Sequence, residues 1–397
     1  MSSHGIKDKV AIVGMGCTPF GEHWESSAAD LLVDAAQDAF GSAGVPKSAV
    51  DAYWLGTLGS GFSGMTLSTA LKTDFRPVTR VENFCASGSE AFRNACYAVA
   101  SGAYDMVMAA GVEKLKDSGY SGLTRANPPH DGTASSLTAP ARFSLLVPAY
   151  AEKYGVDRAE MKNVITRIAW KNHYNGARNE RAAFRTEVPP GKIKASPRVA
   201  GDLGIFDCSG VSDGSAAAII VRAEDAFKYT DKPLFVKALS FVAGSGRGAL
   251  DPTYDYTTFD ECVRSAADAY AQAGVTDPRR EISMAEVHDC FTPTELVLME
   301  DLGFSGRGQG WKDVLNGSFD LSGDLPVNPD GGLKSFGHPI GASGLRMLFE
   351  CWLQLREQAP PERQIQVGGR GYGLTQNLGG VPGECVSFVS IVGPQPG

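Results

Sequence analysis

Two distant stretches of this 397-residue chain read alike. Residues 31–56 are LLVDAAQDAFGSAGVPKSAVDAYWLG, and residues 262–289 are CVRSAADAYAQAGVTDPRREISMAEVHD. Both run helix, Ala-Gly-Val terminator, charged turn, apolar strand. The likeness continues downstream. Ala86-Ser87-Gly88 opens a helix with apolar positions at Phe92 and Ala95, and Ala342-Ser343-Gly344 opens one with Leu348, Cys351 and Leu355. Such a duplication constrains the fold more than any single motif, because each repeat is one unit that buries its apolar face against its neighbour. Strands alternate with helices in both copies, which marks an α/β class. Two similar α/β halves imply sheets packed through a shared layer of helices.

In chain order, Val10 to Val13 reads as a strand. The helix Ala28 to Ala43 is stopped by Gly44-Val45-Pro46, and a strand, Val50 to Leu55, leads to the glycine-rich loop Gly56 to Gly64. A helix follows Cys85 and ends at Gly102, and Met106 to Ala110 reads as a buried strand. From about Lys116 to Gly201 the rhythm breaks. This segment holds the loop-like Asn127-Pro128-Pro129-His130, a helical stretch from Ala149 to Tyr174, and the basic run Arg178, Arg181, Arg185, Lys192, Lys194 and Arg198. It reads as an insertion folded over the main body, its charges either solvated or set against the phosphates of a ligand. His130 and His173 stand alone in it and read as surface or packing residues.

The sheet pattern resumes with the strand Ala216 to Val221. A second half begins at Pro233 with the strand Leu234 to Val242. The helix Phe259 to Ala273, the strand Ile282 to Val287 and a helix from Thr294 to Leu302 follow. Glycine-rich residues 368–380 approach a last strand, Cys385 to Val392. The expected organisation is residues 1–115 with 202–232 as one half, 116–201 as an inserted loop domain, and 233–397 as the other half.

A net charge of −8 and a pI near 5.4 argue against nucleic acid as a partner. No apolar run is long enough to span a bilayer, and the N-terminus lacks a signal-peptide core. The eight cysteines show no CxxC pairing, which fits reduced thiols better than disulfides or a zinc site. A cytoplasmic protein without a metal site is expected.

Four stretches carry chemistry. Cys85 stands where Ala86, Ser87 and Gly88 open a helix. Unpaired backbone N–H groups and the positive helix end favour thiolate there, so Cys85 is a candidate nucleophile. A buried cysteine acting only as a small hydrophobe is an equally good reading of that residue alone. The loop Gly331 to Gly341 holds His338 between glycines and prolines, either placed for chemistry or simply hydrogen-bonded. Val287-His288-Asp289-Cys290-Phe291-Thr292 sits where a buried strand ends, a place where catalytic side chains gather in α/β sheets. Residues 368–380, GGRGYGLTQNLGG, offer backbone N–H groups to an oxyanion.

Together these stretches resemble the thiolase superfamily, and the match covers nearly the whole chain. The resemblance implies a duplicated fold of αβαβα layers with an inserted loop domain. Cys85 and Gly337-His338-Pro339 match thiolase motifs directly. Two loops depart from the general pattern: His288-Asp289-Cys290-Phe291 stands in place of an Asn-Glu-Ala-Phe type, and Asn377-Leu378-Gly379 lacks a cysteine. Both departures are those of the sterol-carrier-protein-2-type and archaeal acetoacetyl-CoA branch, in which the cysteine of the His-Asp-Cys-Phe loop is the acid/base.

The resemblance implies roles. Cys85 carries the acyl group, and His338 handles its proton and donates to the thioester oxygen. Cys290 removes an α-proton in synthesis or activates the thiol of coenzyme A in cleavage, which requires neighbours to lower its pKa. One oxyanion hole uses His338 with a water held by His288, and the other the backbone N–H groups of Cys85 and Gly379. Ser240 resembles a serine that bonds the pantetheine, or is an ordinary strand serine.

No resident cofactor is implied, only a coenzyme A thioester as substrate. Implied partners are a second copy, as homodimer or homotetramer, and a small OB-fold acyl-CoA-binding protein. Interface candidates are the Gly56 to Gly64 loop and the strand after Thr79. Alternative functions on this fold are a retro-aldolase and an acyl-CoA-binding subunit that works with such a partner.

Overall fold

The computed structural model describes residues 4–118 and 138–396. Nine strands form one mixed sheet. They are β1 (Val10–Cys17), β2 (Ala52–Gly56), β3 (Val78–Val81), β4 (Met106–Glu113), β5 (Gly214–Arg222), β6 (Leu234–Ala243), β7 (Ile282–Glu286), β8 (Tyr372–Val381) and β9 (Glu384–Gly393). Their spatial order is β3-β2-β4-β5-β1-β6-β9-β8-β7. Read outward from the β1/β6 join, β1-β5-β4-β2 mirrors β6-β9-β8-β7. The parallel β2/β3 pairing has a reduced counterpart in the single parallel bridge Ala285–Val327. Within the sheet, the two half-sheets pair through only two residue pairs, Ala11 with Phe235 and Ile12 with Leu234.

The duplication extends to the helix caps. Helix α1 (Ala28–Ala43) begins in a capping box, with Ser27 and Asp30 bonding each other's backbone, and ends on Gly44 at φ 65°. Its counterpart α4 (Asp260–Ala273) ends on Gly274 at φ 81°. Between them in sequence lie α2 (Ser87–Ala100) and α3 (Arg158–Ala177), and after them α5 (Thr292–Asp301) and α6 (Ser343–Leu355).

Three apolar clusters define the layers. One joins α1 to the outer face of the first half-sheet. A second holds Phe92, Ala95, Leu345 and Leu348 of α2 and α6 together with strand residues of both halves, such as Ile12, Val107, Val236 and Phe388. The third joins α4 and α5 to the outer face of the second half. This is the expected αβαβα layering. Burying these leucines, valines and phenylalanines stabilises the fold by about 1.5–3 kcal/mol per side chain.

The two central helices meet through the repeated Ala-Ser-Gly. A Cβ on Gly88 would stand 2.6 Å from the Gly341 carbonyl, and one on Gly344 would stand 2.1 Å from Ser89 Oγ. Only glycine admits so close an approach of one backbone to the other.

Several local expectations need correction. The stretch Ala149 to Tyr174 is not one helix. Residues 146–154 form one, Gly155 turns it at φ 65°, and Asp157 caps α3. Residues 368–380 are not all loop, since β8 spans Tyr372–Val381; its glycines have no side chains, so strand periodicity is hidden there. The glycine-rich loop after β2 runs into a short helix, Met65–Leu71. Helices of residues 139–177, read only as folded over the main body, pack on the second half: Tyr150 donates to Glu300 at 2.5 Å, and Lys171 pairs with Glu295 at 2.8 Å. Asn127 to His130 lie outside the described residues. Among the described residues, no helix is long and apolar enough to cross a membrane.

Candidate active site

Cys85 lies in a tight turn between β3 and α2. Phe84, just before it, adopts φ 50°, a left-handed conformation that costs a bulky residue strain. The turn is clamped by Ser87, whose hydroxyl accepts from the Asn83 N–H at 2.9 Å and donates to the Phe84 carbonyl at 2.6 Å. The cysteine thus stands two residues ahead of the first helical residue. A lowered thiol pKa was expected at this helix entry. Instead burial, and then the Glu113 carboxylate, push the Cys85 thiol up to about 12. The resting group is a thiol.

Glu113, at the end of β4, is fully buried and ties the two halves together. Its carboxylate accepts from Thr57 Oγ1, from the backbone of Leu58, Gly59 and Ser60, from Ser60 Oγ, and from the Gly341 N–H at 2.9 Å. The last bond fixes the loop that carries His338. Charge-assisted bonds of this kind are about twice as strong as neutral ones. Nothing in the linear sequence linked Glu113 to that loop.

His338 is held from both sides. Its backbone N–H donates to Ser212 Oγ at 2.7 Å, and its Nδ1 lies 2.8 Å from Ser343 Oγ. Gly337 enters the turn at φ 119°. Burial, reinforced by the Arg346 guanidinium, lowers the imidazole pKa to about 3, so the ring is neutral. Arg346 is itself fully buried and pairs with Glu286 and Asp330.

The His288-Asp289-Cys290 loop crosses between β7 and α5. Asp289, fully buried, accepts from the Leu333 N–H at 2.6 Å, the Lys334 N–H at 3.2 Å and Asn172 Nδ2 at 2.7 Å. It therefore anchors the chain that leads to His338. Burial, then Glu295, raise its pKa to about 7. Burial, then His338, lower that of His288 well below the imidazole range. Cys290 was expected to be acidified. Burial, then Cys85 and Asp289, instead push its thiol well up.

Cys85, His288, Cys290 and His338 all line one cavity of about 510 Å³. One ligating atom each from Cys85, His288 and His338 lie within 4.8 Å of one another, and the two rings meet edge to face at 5.4 Å. This is the one group of its kind among the described residues with the spacing to grip a metal ion. Chemically the same set supplies a nucleophile, a proton acceptor and donors for an oxyanion.

Gly379 sits inside β8 opposite Val386, against the Asn83 carbonyl and the Phe84 side chain, and its neighbour Gly380 is the one that lines the cavity. Ser240 lies in β6, opposite Val389 of β9 and away from the cavity lining, with its hydroxyl buried. His173, read as a surface or packing residue, is buried on α3 and lines the cavity with Lys334. The basic run is mostly solvated: Arg185, Lys192, Lys194 and Arg198 are exposed, whereas Arg178 stacks on Tyr174 and Arg181 bonds the Cys17 carbonyl.

Comparison with known proteins agrees with this arrangement. The pattern of the thiolase N-terminal domain matches residues 10–202, and that of the thiolase C-terminal domain-like family matches 246–391. The acetyl-CoA acetyltransferase of Methanothermobacter thermautotrophicus is 37% identical over 388 residues, 96% of this chain and 98% of that protein. Sterol carrier protein 2 of Homo sapiens is 32% identical over 394 residues, 94% of this chain and 70% of that protein. Among solved structures, one titled Ltp2-ChsH2(DUF35) aldolase superposes with a TM-score of 0.83 at 22% identity, covering 98% of each chain. Human mitochondrial 3-ketoacyl-CoA thiolase in complex with CoA gives 0.68 at 18% identity over 100% of each. These two show a shared fold alone. The matched domains and the near full-length relatives show that the chain belongs to the thiolase family, in the branch of sterol carrier protein 2 and the archaeal acetyl-CoA acetyltransferases.

Proposed function

We propose that the protein is an acetyl-CoA C-acyltransferase that makes and breaks the carbon–carbon bond of 3-ketoacyl-CoA through an acyl group on Cys85. The observation that carries this reading is the convergence of Cys85, His338, His288 and Cys290 on one cavity. In cleavage, the Cys85 sulfur attacks the 3-keto carbon as its proton passes to the neutral ring of His338. The bond between the second and third carbons breaks, and the electron pair it leaves on the second carbon takes a proton from Cys290. Acetyl-CoA leaves. The thiol of coenzyme A then attacks the Cys85 thioester and frees the shortened acyl-CoA. Synthesis runs the same steps backwards.

Because both thiols rest protonated, proton transfer and attack are concerted here, with no standing thiolate. Oxyanion donors are the ring of His338 with a water held by His288, and backbone N–H groups at Cys85 and the Gly379–Gly380 segment. A coenzyme A thioester is the substrate, and no resident cofactor is needed. A homodimer fits the surface: β3 is an edge strand, and Phe62, Met65 and Phe75 nearby are largely exposed.

The test is turnover of acetoacetyl-CoA with free coenzyme A, followed by product analysis. Formation of two acetyl-CoA per turnover is expected. Retro-aldol cleavage needs a 3-hydroxyacyl thioester, so acetoacetyl-CoA left uncut while such a substrate releases a ketone or aldehyde would instead mark a retro-aldolase.

A further inference from the structure

The cavity has a polar group for which that mechanism has no use. Lys334 lines its wall and is only 3% exposed, yet its ammonium makes no hydrogen bond or ion pair with any described residue. The Phe184 ring faces it, with the centroid 5.7 Å from the ammonium. A buried ammonium without a counterion is costly, and such groups are normally paired.

The neighbouring acids do not fill that role. Asp207 already accepts from Lys162 at 3.0 Å, the Gly204 N–H at 2.8 Å and Thr292 at 3.0 Å. Asp289 has its three donors on Asn172, Leu333 and Lys334's own backbone. Burial lowers the Lys334 pKa to about 8, so it still carries its charge near neutral pH.

His173 stands on the same wall, 5.5 Å from the Phe206 ring and 6.3 Å from Phe184 between centroids. Burial, then Lys334, lower its pKa to about 3, so it is neutral. The Thr186 backbone adjoins it, but neither ring nitrogen makes a hydrogen bond of standard geometry to a described residue. The rest of the wall is largely apolar, with Phe143, Val199 and Ile205. A largely apolar cavity with one unpaired cation in its wall suits a chain with an apolar stem and an anionic tip.

We infer that Lys334, with His173 beside it, selects acyl groups that end in a carboxylate, so that the substrates are 3-oxoacyl thioesters of dicarboxylic acids. This rests on the thiolase reading above, since the cavity is shared with Cys85.

The experiment compares two 3-oxoacyl-CoA thioesters of equal chain length, one ending in methyl and one in carboxylate. The wild-type protein is expected to favour the carboxylate-ended one by roughly tenfold or more in kcat/KM, the usual worth of one charged hydrogen bond. Lys334→Met should lower kcat/KM for that substrate by about tenfold, through KM, and leave the methyl-ended one within about twofold. Lys334→Arg should keep the preference, which separates loss of charge from a folding defect. A wild type indifferent to the tip overturns the inference while the thiolase reading stands. So does a Lys334→Met effect equal on both substrates, which would assign the ammonium to coenzyme A or to packing. Turnover of neither substrate overturns the thiolase reading and this inference with it.

Discussion

Ser343 Oγ lies 2.8 Å from Nδ1 of His338 and donates its proton to the Pro339 carbonyl at 3.0 Å. A hydroxyl that has given its proton away can only accept from the ring, so Nδ1 carries the hydrogen. Nε2 is then the nitrogen with the free lone pair, the one suited to take the Cys85 proton. The first residue of α6 thus sets the tautomer of a histidine five positions upstream.

Ser343→Ala frees that choice. The kcat of thiolysis should fall by roughly tenfold, less than the 10²–10⁴-fold that a positioned acid or base contributes, with KM for acetoacetyl-CoA little changed. Steady-state kinetics check it, and an unchanged kcat contradicts the tautomer assignment.

Glu113→Gln should cost about 2–4 kcal/mol of stability, because an amide N–H₂ turned toward N–H donors leaves buried groups unpaired. Urea unfolding of both proteins measures this. The same variant should slow turnover, since the Gly341 N–H bond that positions the His338 loop is weakened. A variant as stable as the parent contradicts the hub role.

Alkylation of Cys85 by iodoacetamide reports its protonation. With the thiol pushed up to about 12, the rate should be slow at neutral pH and still climbing at about pH 10. A plateau reached below about pH 8 contradicts a resting thiol and points to a thiolate–imidazolium pair. The sign follows from the cause: desolvation and the Glu113 charge both disfavour the anion.

Cys290→Ala separates the two chemical stages. Acyl transfer to Cys85 should persist, while condensation of two acetyl-CoA falls by about 10²-fold or more. Normal condensation in this variant places the acid/base elsewhere.

Much of the fold was legible because repetition and periodicity are local. The α1 boundaries, read as Ala28 to Ala43, match the helix residue for residue, since its periodicity and its glycine stop stand in the sequence. β8 was missed because six of its ten residues, Gly373, Thr375, Gln376, Asn377, Gly379 and Gly380, are glycine or polar and leave no alternation to read. The site was legible in part. Cys85, His288, Cys290 and His338 were found through motifs at helix entries and a strand end, where short sequence carries backbone geometry. Glu113, Ser212 and Ser343 were not, because their roles depend on contacts across 228, 126 and 5 positions of chain. His173 was read as solitary because its neighbours Phe206 and Lys334 approach it only in the folded chain. The thiol pKa values were misread for a related reason: a helix entry can be inferred from sequence, but burial and a distant carboxylate cannot.

The central claim is an acyl group carried on Cys85, and intact-protein mass spectrometry after brief incubation with acetoacetyl-CoA, without free coenzyme A, tests it most directly. One acetyl adduct, mapped to the Cys85 peptide, lost on addition of coenzyme A and absent in Cys85→Ser, is the predicted result. Full thiolysis activity in Cys85→Ser, or an adduct mapped to Cys290 instead, contradicts it.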